Sequence, residues 1–428
     1  MKCPIDVLPD PSACTVTGLT PQRINREGMN ELEAYVAMNR RFAQPNTCVA
    51  GFNSLRFDDE FVRFGFYRHF IDPYAREWQA GNSRWDIIDL ARAAAALRPD
   101  GITWPTEAGL PSFRLGELTA ANGIEHASAH DALSDVRATI GLARLIRERK
   151  RRLFDYFLGL RDRARLHRLL RPERPQMSVH VSRMYPRERG SVAVVMPVAR
   201  HPQNRSSIIV VDLASDIGPL MDWDADRLRE ALFGLDRADR PGLKEVRLNR
   251  CPFVAPIAVV REDDARRLQL ELAESERRFE ALQATAGLAQ KVAAVYGVEG
   301  ARRANDADAA LYDGFVSDPD RGRCGDVLTQ LLSGVQAPAV AFADQRLNEL
   351  LFRLRARRDE AALSEAERAR WRDWMRHKLV DGVDGALTLP RFQQAVAELD
   401  APTEIVEALC EHAKTIELRL AEHGGANR

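Results

Sequence analysis

The chain has no excess of either charge, few cysteines and no long apolar run, and each of these shortages narrows what it can be. Lysine plus arginine and aspartate plus glutamate both number 62 in 428 residues, so the formal net charge is zero. A chain of this kind can bind a polyanion only through a local basic patch, not through a global field. The six cysteines, at positions 3, 14, 48, 251, 324 and 410, show neither paired metal-binding spacing nor the density of a disulfide scaffold. That pattern fits the reducing cytoplasm. There is no secretory apolar core and no membrane-length hydrophobic stretch, so no membrane partner is expected. Internal repeats and low-complexity tracts are also missing. What is present, 45% hydrophobic residues, is ample for a buried core and suggests two or three domains.

The most informative stretch is Ser128-Ala-His130-Asp131-Ala-Leu-Ser-Asp135-Val-Arg-Ala-Thr-Ile140. Ser128 is a good N-cap, Asp131 is the acid three residues on, and Ala132, Leu133, Val136 and Ile140 recur at helical spacing. Asp135 then projects along a strip of small residues, Ala132, Ala138 and Thr139, where an acid needs a partner. A lone His-x4-Asp is ordinarily a capped surface helix, but its surroundings argue for more. Upstream, Leu115-x2-Leu118-x4-Gly123-Ile124 reads as a short amphipathic helix closed by glycine. Further upstream, Thr47–Phe52 is an apolar strand that Asn53-Ser-Leu-Arg-Phe57-Asp58-Asp59-Glu60 turns into a helix. This corner puts Asp58 at a strand's carboxyl end, where open α/β sheets place their sites.

Asn-x3-Phe-Asp at 53–58, Leu-x2-Leu-x4-Gly-Ile and His-x4-Asp together resemble the later motifs of the DEDDh 3′-to-5′ exonucleases, whose fold is ribonuclease-H-like. Within that superfamily, Thr17-Gly-Leu-Thr-Pro-Gln22, Arg56-Phe-Asp-Asp-Glu60, Asn82-Ser-Arg-Trp-Asp86, Gly109-Leu-Pro-Ser-Phe-Arg-Leu115 and Asn122-Gly-Ile-Glu-His126 are similar to the bacterial exonuclease I family. The resemblance implies Mg²⁺-dependent, processive removal of 5′-mononucleotides from the 3′ end of single-stranded DNA, in DNA repair and recombination. Such enzymes use two divalent cations to activate water and to neutralise the scissile phosphate. Mg²⁺ prefers carboxylate oxygens, and a neutral imidazole can take the proton of the attacking water. By resemblance, Asp58 and Asp135 support the metals and His130 is the general base.

One motif is missing. The family's first Asp-x-Glu, on its opening strand, has no counterpart before Asp58: Asp6 and Asp10 fall in a proline-rich loop without the required Glu. Glu60 is read as a helix-cap residue. The two-metal site is therefore expected to be incomplete and the sequence to be cut short at its start, by a misplaced start or in a decayed paralogue. The family's opening strands form the middle of its sheet, so their loss should expose apolar faces and strand edges. A catalytically inactive remnant that binds single-stranded DNA, or its binding protein, is the alternative.

Downstream of Asp58, Phe61–Trp78 interleaves aromatics with arginines, a mixture that holds single strands by stacking and phosphate contact. Phe64, Phe66 and Phe70 are read as core, and Arg63, Tyr74 and Trp78 as strand contacts, by their match to family positions. Arg92 and Arg114 resemble substrate-facing positions. Arg114 is open between a phosphate contact and a structural ion pair. Asp86 and Asp89 are read as helix-cap residues and His126 as structural. Ile146–Arg152 ends a helix with a basic run that suits the helix dipole. With Arg161, Arg163 and Arg165 it forms the strongest positive cluster, Arg163 being the expected DNA contact.

Three segments follow from composition and resemblance. Residues 1–150 are a partial exonuclease domain, 151–303 a small Src-homology-3-like β-barrel with helical linkers, and 304–428 a helical domain in which Ser364-Glu-Ala-Glu367 is a capping box. The resemblance also implies a monomer that binds the acidic C-terminal tail of single-stranded-DNA-binding protein through a basic-rimmed apolar pocket, which no residue pattern locates.

Overall fold

The computed structural model describes residues 1–126, 132–234, 240–297, 303–335, 338 and 340–421. The chain divides into two compact units that are not consecutive in sequence. One comprises 48–58 and 83–300, the other 1–47, 59–82 and 301–428. The expected boundary at 150 thus falls inside the first of these.

In the 48–58/83–300 unit, β1 (Cys48–Gly51) pairs in parallel with β2 (Ser83–Asp86), Gly51 lying opposite Asp86. Asp86 caps the Ile87–Leu97 helix, all eleven residues of which are buried. Its alanine run costs little side-chain entropy and lets neighbouring elements approach closely. A two-residue hairpin, β3 (Thr106–Glu107) with β4 (Leu110–Pro111), precedes the Leu115–Ala121 helix. Gly123 follows at φ +64°, as the expected glycine stop requires.

The second half of this unit is an antiparallel sheet of β5 (Ser178–Val181), β6 (Val192–Arg200), β7 (Ser207–Asp212), β8 (Leu243–Arg247) and β9 (Phe253–Pro256). Its order is β8-β7-β6-β5-β9. The expected barrel is corrected here: among the described residues the edges β8 and β9 do not pair, so the sheet is open. The central strands carry no alternation, because β5, β7 and all of β6 but Arg200 are buried. Near-continuous Val and Ile suit a sheet whose apolar side chains join one core with those of the Ile87–Leu97, Leu272–Ala284 and Leu288–Val295 helices.

The helix bearing Asp135, Ala132–Arg149, departs from its expected face. Ala138, Leu142 and Ile146 are buried, whereas Leu133, Val136 and Ile140 are 56%, 54% and 45% exposed. The apolar positions spread around more than one face, and the described residues cover only one of them.

The other unit is helical and has two cores. One gathers Tyr35, Phe66, Tyr67 and Phe70 with Leu347, Leu350 and Leu354. Phe66 and Phe70 are therefore core, as expected, and a Cβ on Gly65 would meet the Tyr35 ring at 1.9 Å. The other core surrounds Trp371 and Phe392. Ser364 and Glu367 form the expected capping box. Asp10 caps the Pro11–Thr17 helix, while Asp6, expected in a loop, is fully buried. It accepts from Arg357 at 2.9 and 2.6 Å and from Lys378 at 3.0 Å. Asp308 and Arg353 extend this ion cluster. No local pattern marks Asp6 for it, because its partners lie more than 350 residues away in sequence.

Candidate active site

The β1 corner is locked by one carboxylate. Asn53 sits at φ +60°, and its backbone N–H donates to Asp86 at 2.7 Å. The N–H groups of Leu55 and Ile88 donate to the same side chain at 3.3 and 3.2 Å. Burial, then the neighbouring Asp89, pushes the Asp86 carboxyl up to about 6. Asp86 thus serves as the expected helix cap and also fixes the turn from which Asp58 emerges. Asp58 opens the Asp58–Arg68 helix and is exposed.

Asp135 lies in the first turn of its helix with its side chain 42% exposed. The partner that its strip of small residues requires is His126, whose Nε2 is 2.7 Å from Asp135 Oδ1. A carboxylate only accepts, so Nε2 carries the proton. The other ring nitrogen, Nδ1, faces Thr119 Oγ1 at 3.3 Å. That hydroxyl is itself held by the Leu115 and Gly116 carbonyls at 2.9 and 3.0 Å. His126, read from sequence as merely structural, therefore orients Asp135. Its only sequence signal is proximity to the motif. His130 and the Ser128 cap lie outside the described residues.

Two carboxylates are hard donors suited in kind to a divalent cation. Among the described residues, however, no group of three or more His, Cys, Asp or Glu side chains is arranged to hold one. Asp58 and Asp135 do not by themselves make a metal centre.

The arginines expected at the substrate divide by burial. Arg63 is buried and donates through Nε and Nη2 to Glu77 at 2.7 and 3.0 Å, and through Nη1 to Glu60 at 3.0 Å. Burial would lower its pKa, but Glu77 and then Tyr312 outweigh it and raise it. Its guanidinium is spent within the fold, and Glu60, expected as a cap residue, turns to Arg63 and to the Tyr312 hydroxyl. Arg92 is also buried. It pairs with Asp89 at 2.8 Å and lies over the Phe113 ring at 5.6 Å, and burial lowers its pKa. Arg114 remains exposed, in ion pairs with Glu107 and Glu117 at 3.1 Å each. In the basic cluster, Arg161 binds Ser83 and the Leu158 carbonyl, and Arg165 covers the Tyr156 ring. Arg163 opens the Arg163–Leu169 helix and is half-buried.

In the helical unit, Tyr74 is half-buried under the Arg63 guanidinium at 5.5 Å and meets the Phe315 ring edge-on at 6.1 Å. Phe315 is 87% exposed and Trp78 56%. Phe315 escaped the sequence reading, since no periodicity separates an outward ring from a core one.

Three family models cover nearly the whole chain: "Exonuclease" over 3–143, "Exonuclease I SH3-like domain" over 161–298 and "Exonuclease I C-terminal domain" over 305–416. The chain is 41% identical to exodeoxyribonuclease I of Escherichia coli K12 across 96% of its own length and 88% of that protein's. The chain belongs to the exonuclease I family. Exonuclease I of Haemophilus influenzae is also 41% identical, over 87% of this chain and 81% of its own length. Among solved structures, exonuclease I from Methylocaldum szegediense superposes with a TM-score of 0.90 at 41% identity, covering 97% of this chain and 90% of its own. E. coli exonuclease I in complex with a dA16 oligonucleotide gives 0.89 at 40%, with the same coverage. Exonuclease I is an exonuclease class that implies divalent metal ions, and this chain is an enzyme of that class.

Proposed function

We propose that this exonuclease I removes 5′-mononucleotides processively from the 3′ end of single-stranded DNA, in the cytoplasm and in the service of DNA repair and recombination. The observation that carries the strand as substrate is the exposed aromatic group. A Phe that is 87% exposed, edge-on to a Tyr whose ring also lies under an arginine, is a stacking surface suited to bases of any sequence. Two solved relatives support the same reading, E. coli exonuclease I in a zinc-bound complex with single-stranded DNA and an exonuclease I in complex with SSB-Ct. On this reading a monomer also docks that acidic tail.

The chemistry is assigned to Asp58, Asp135 and His130. Bound to the carboxylates, Mg²⁺ would supply charge neutralisation at the scissile phosphate, and its preference for oxygen donors favours it over softer ions. His126 holds Asp135 in place, and His130 takes the proton of the attacking water. Tyr74, Trp78 and Phe315 stack bases, with Arg114 and Arg163 at phosphates. The segments 1–150, 151–303 and 304–428 would divide this work as nuclease, Src-homology-3-like and helical domains.

The test is shortening of a 5′-labelled single-stranded oligonucleotide by the whole chain, with Mg²⁺ and with chelator, beside calorimetric titration of Mg²⁺. Metal-dependent loss from the 3′ end with a measurable binding isotherm is the expected result. Strand binding with no shortening in any divalent metal would overturn the nuclease assignment and leave a binding protein.

A further inference from the structure

A cavity of about 840 Å³ within the helical unit is lined by none of the residues assigned to cleavage or base stacking. One wall is the chain from Arg303 through the short helix Ala307–Asp313, and the other is the π-helical turn His377–Asp381 with the loop that follows it. Such turns are rare and frequent at functional sites. The loop has equally unusual backbone, with Asp384 at φ +47° between Gly382 at +90° and Gly385 at +80°. Donors from the opposite wall hold it there: the Asn305 and Asp306 N–H groups at 2.6 and 2.8 Å and Asn305 Nδ2 at 2.9 Å. The two walls are tied to each other, so the cavity is preformed, and its size suits a small ligand.

Its lining offers three kinds of contact. Arg303 is exposed at the rim and has no ion pair or hydrogen bond among the described residues, so its guanidinium is open to an anion. The Tyr312 ring is 52% exposed yet fixed, because its hydroxyl meets Glu60 and Arg63 and its ring meets Phe64 edge-on at 5.6 Å. Two acceptors complete the set. The Asp313 carboxylate takes only the Ala304 N–H, at 3.1 and 3.3 Å. His377 Nδ1 is 3.2 Å from Asp381 and carries the proton it donates there, which leaves Nε2 as an acceptor.

These groups choose the occupant. A nucleic-acid strand asks for a row of cations and a protein partner for a deep apolar anchor pocket. The cavity has neither: Arg303 stands beside the carboxylates of Asp313 and Asp384. It matches a molecule with one anionic group, one aromatic ring and a few hydrogen-bond donors. We propose that the cavity binds a nucleoside 5′-monophosphate, with the phosphate on Arg303, the base against the Tyr312 ring, and amino and hydroxyl groups on Asp313 and His377 Nε2. Calling that ligand the product rests on the nuclease reading, which releases one such molecule at every cut.

The experiment is calorimetric titration of the whole chain with deoxyadenosine 5′-monophosphate in chelator, comparing wild type with R303Q and A309F. Wild type should give a saturable isotherm with a Kd below about 1 mM. R303Q changes an exposed side chain and keeps the fold, and it should bind at least about tenfold more weakly for want of one charge-assisted hydrogen bond. Deoxyadenosine, which lacks the phosphate, should bind wild type and R303Q equally weakly. A309F, which places a ring in the cavity from its half-buried wall, should abolish binding. No saturable binding to wild type, or an isotherm unchanged in R303Q, would overturn the site. Inorganic phosphate competing as strongly as the nucleotide would reduce the cavity to a bare anion site and overturn the proposal. Displacement of the nucleotide by a single-stranded oligonucleotide of about 8 residues would assign the cavity to the strand, with the same consequence. Strand shortening with Mg²⁺ is measured in parallel. Nucleotide binding of the expected pattern without shortening would keep the site and defeat the product reading, whereas shortening without nucleotide binding would defeat the site alone.

Discussion

His126 Nε2 stands 2.7 Å from Asp135 Oδ1, and the same ring is backed by Thr119. The imidazole side chain is only 9% exposed while the carboxylate is 42% exposed. A buried donor thus aims a solvent-facing acid.

From this geometry, His126→Ala should lower turnover about ten- to hundredfold, the usual cost of removing a partner that orients a functional carboxylate. KM for the oligonucleotide should hardly change, because His126 makes no strand contact on this reading. His126→Gln, which can still donate to Asp135, should recover part of the rate. Single-turnover kinetics on the three proteins checks it, and an unchanged rate in the alanine variant would refute the positioning role.

Phe315→Ala should weaken single-strand binding by about 1–3 kcal/mol, the cost of losing one stacked base. The melting temperature should stay the same, since so exposed a ring contributes little to the core. Binding isotherms beside a thermal melt separate the two effects.

The Asp86 carboxyl makes stability depend on pH. Its pKa in the fold, about 6, lies above the ordinary 3.8, so the folded state holds this proton where the unfolded chain has lost it. This contribution is full below about pH 4 and is lost as pH rises through about 6. The whole effect is on the order of 3 kcal/mol, at about 1.4 kcal/mol per pH unit of displacement. Asp86→Asn should flatten that fall, as measured by denaturant titration across the window. An unaltered slope would show that other groups dominate.

Asp6 has the opposite sign. Burial alone would raise its carboxyl, but Arg357 and Lys378 outweigh it and hold the group well below the usual carboxylate range. The stabilisation is present above about pH 4 and lost as pH falls. At neutral pH, Asp6→Asn should cost about 3–5 kcal/mol, because it breaks a buried ion cluster and leaves cations undercompensated. It should also make acid unfolding shallower. Equilibrium denaturation at neutral and acid pH tests both.

Much of the local architecture was legible in the sequence. The 47–52 strand, the glycine stop at 123, the Ser364 capping box and the Asp86 cap each rest on dihedral preferences or hydrogen bonds among residues close in the chain. That residues 151–303 hold a β-structured domain was also legible, although the open order of its sheet was not. The need of Asp135 for a partner followed from helix geometry, but the choice of His126 did not, because the loop between them has no period to read.

What the sequence by itself determined is this local grammar and, through ordered motifs, kinship with a nuclease family. Only tertiary structure decided which charges are free and which are consumed. Arg63 and Arg92 read as strand contacts yet are buried on Glu77 and Asp89, while Phe315, which no local pattern marks, faces outward. Asp6 reads as loop yet anchors an ion cluster with partners from the far end of the chain. A side chain's local sequence sets its element and its approximate direction. Its burial, and therefore its chemistry, depends on which distant segment packs over it.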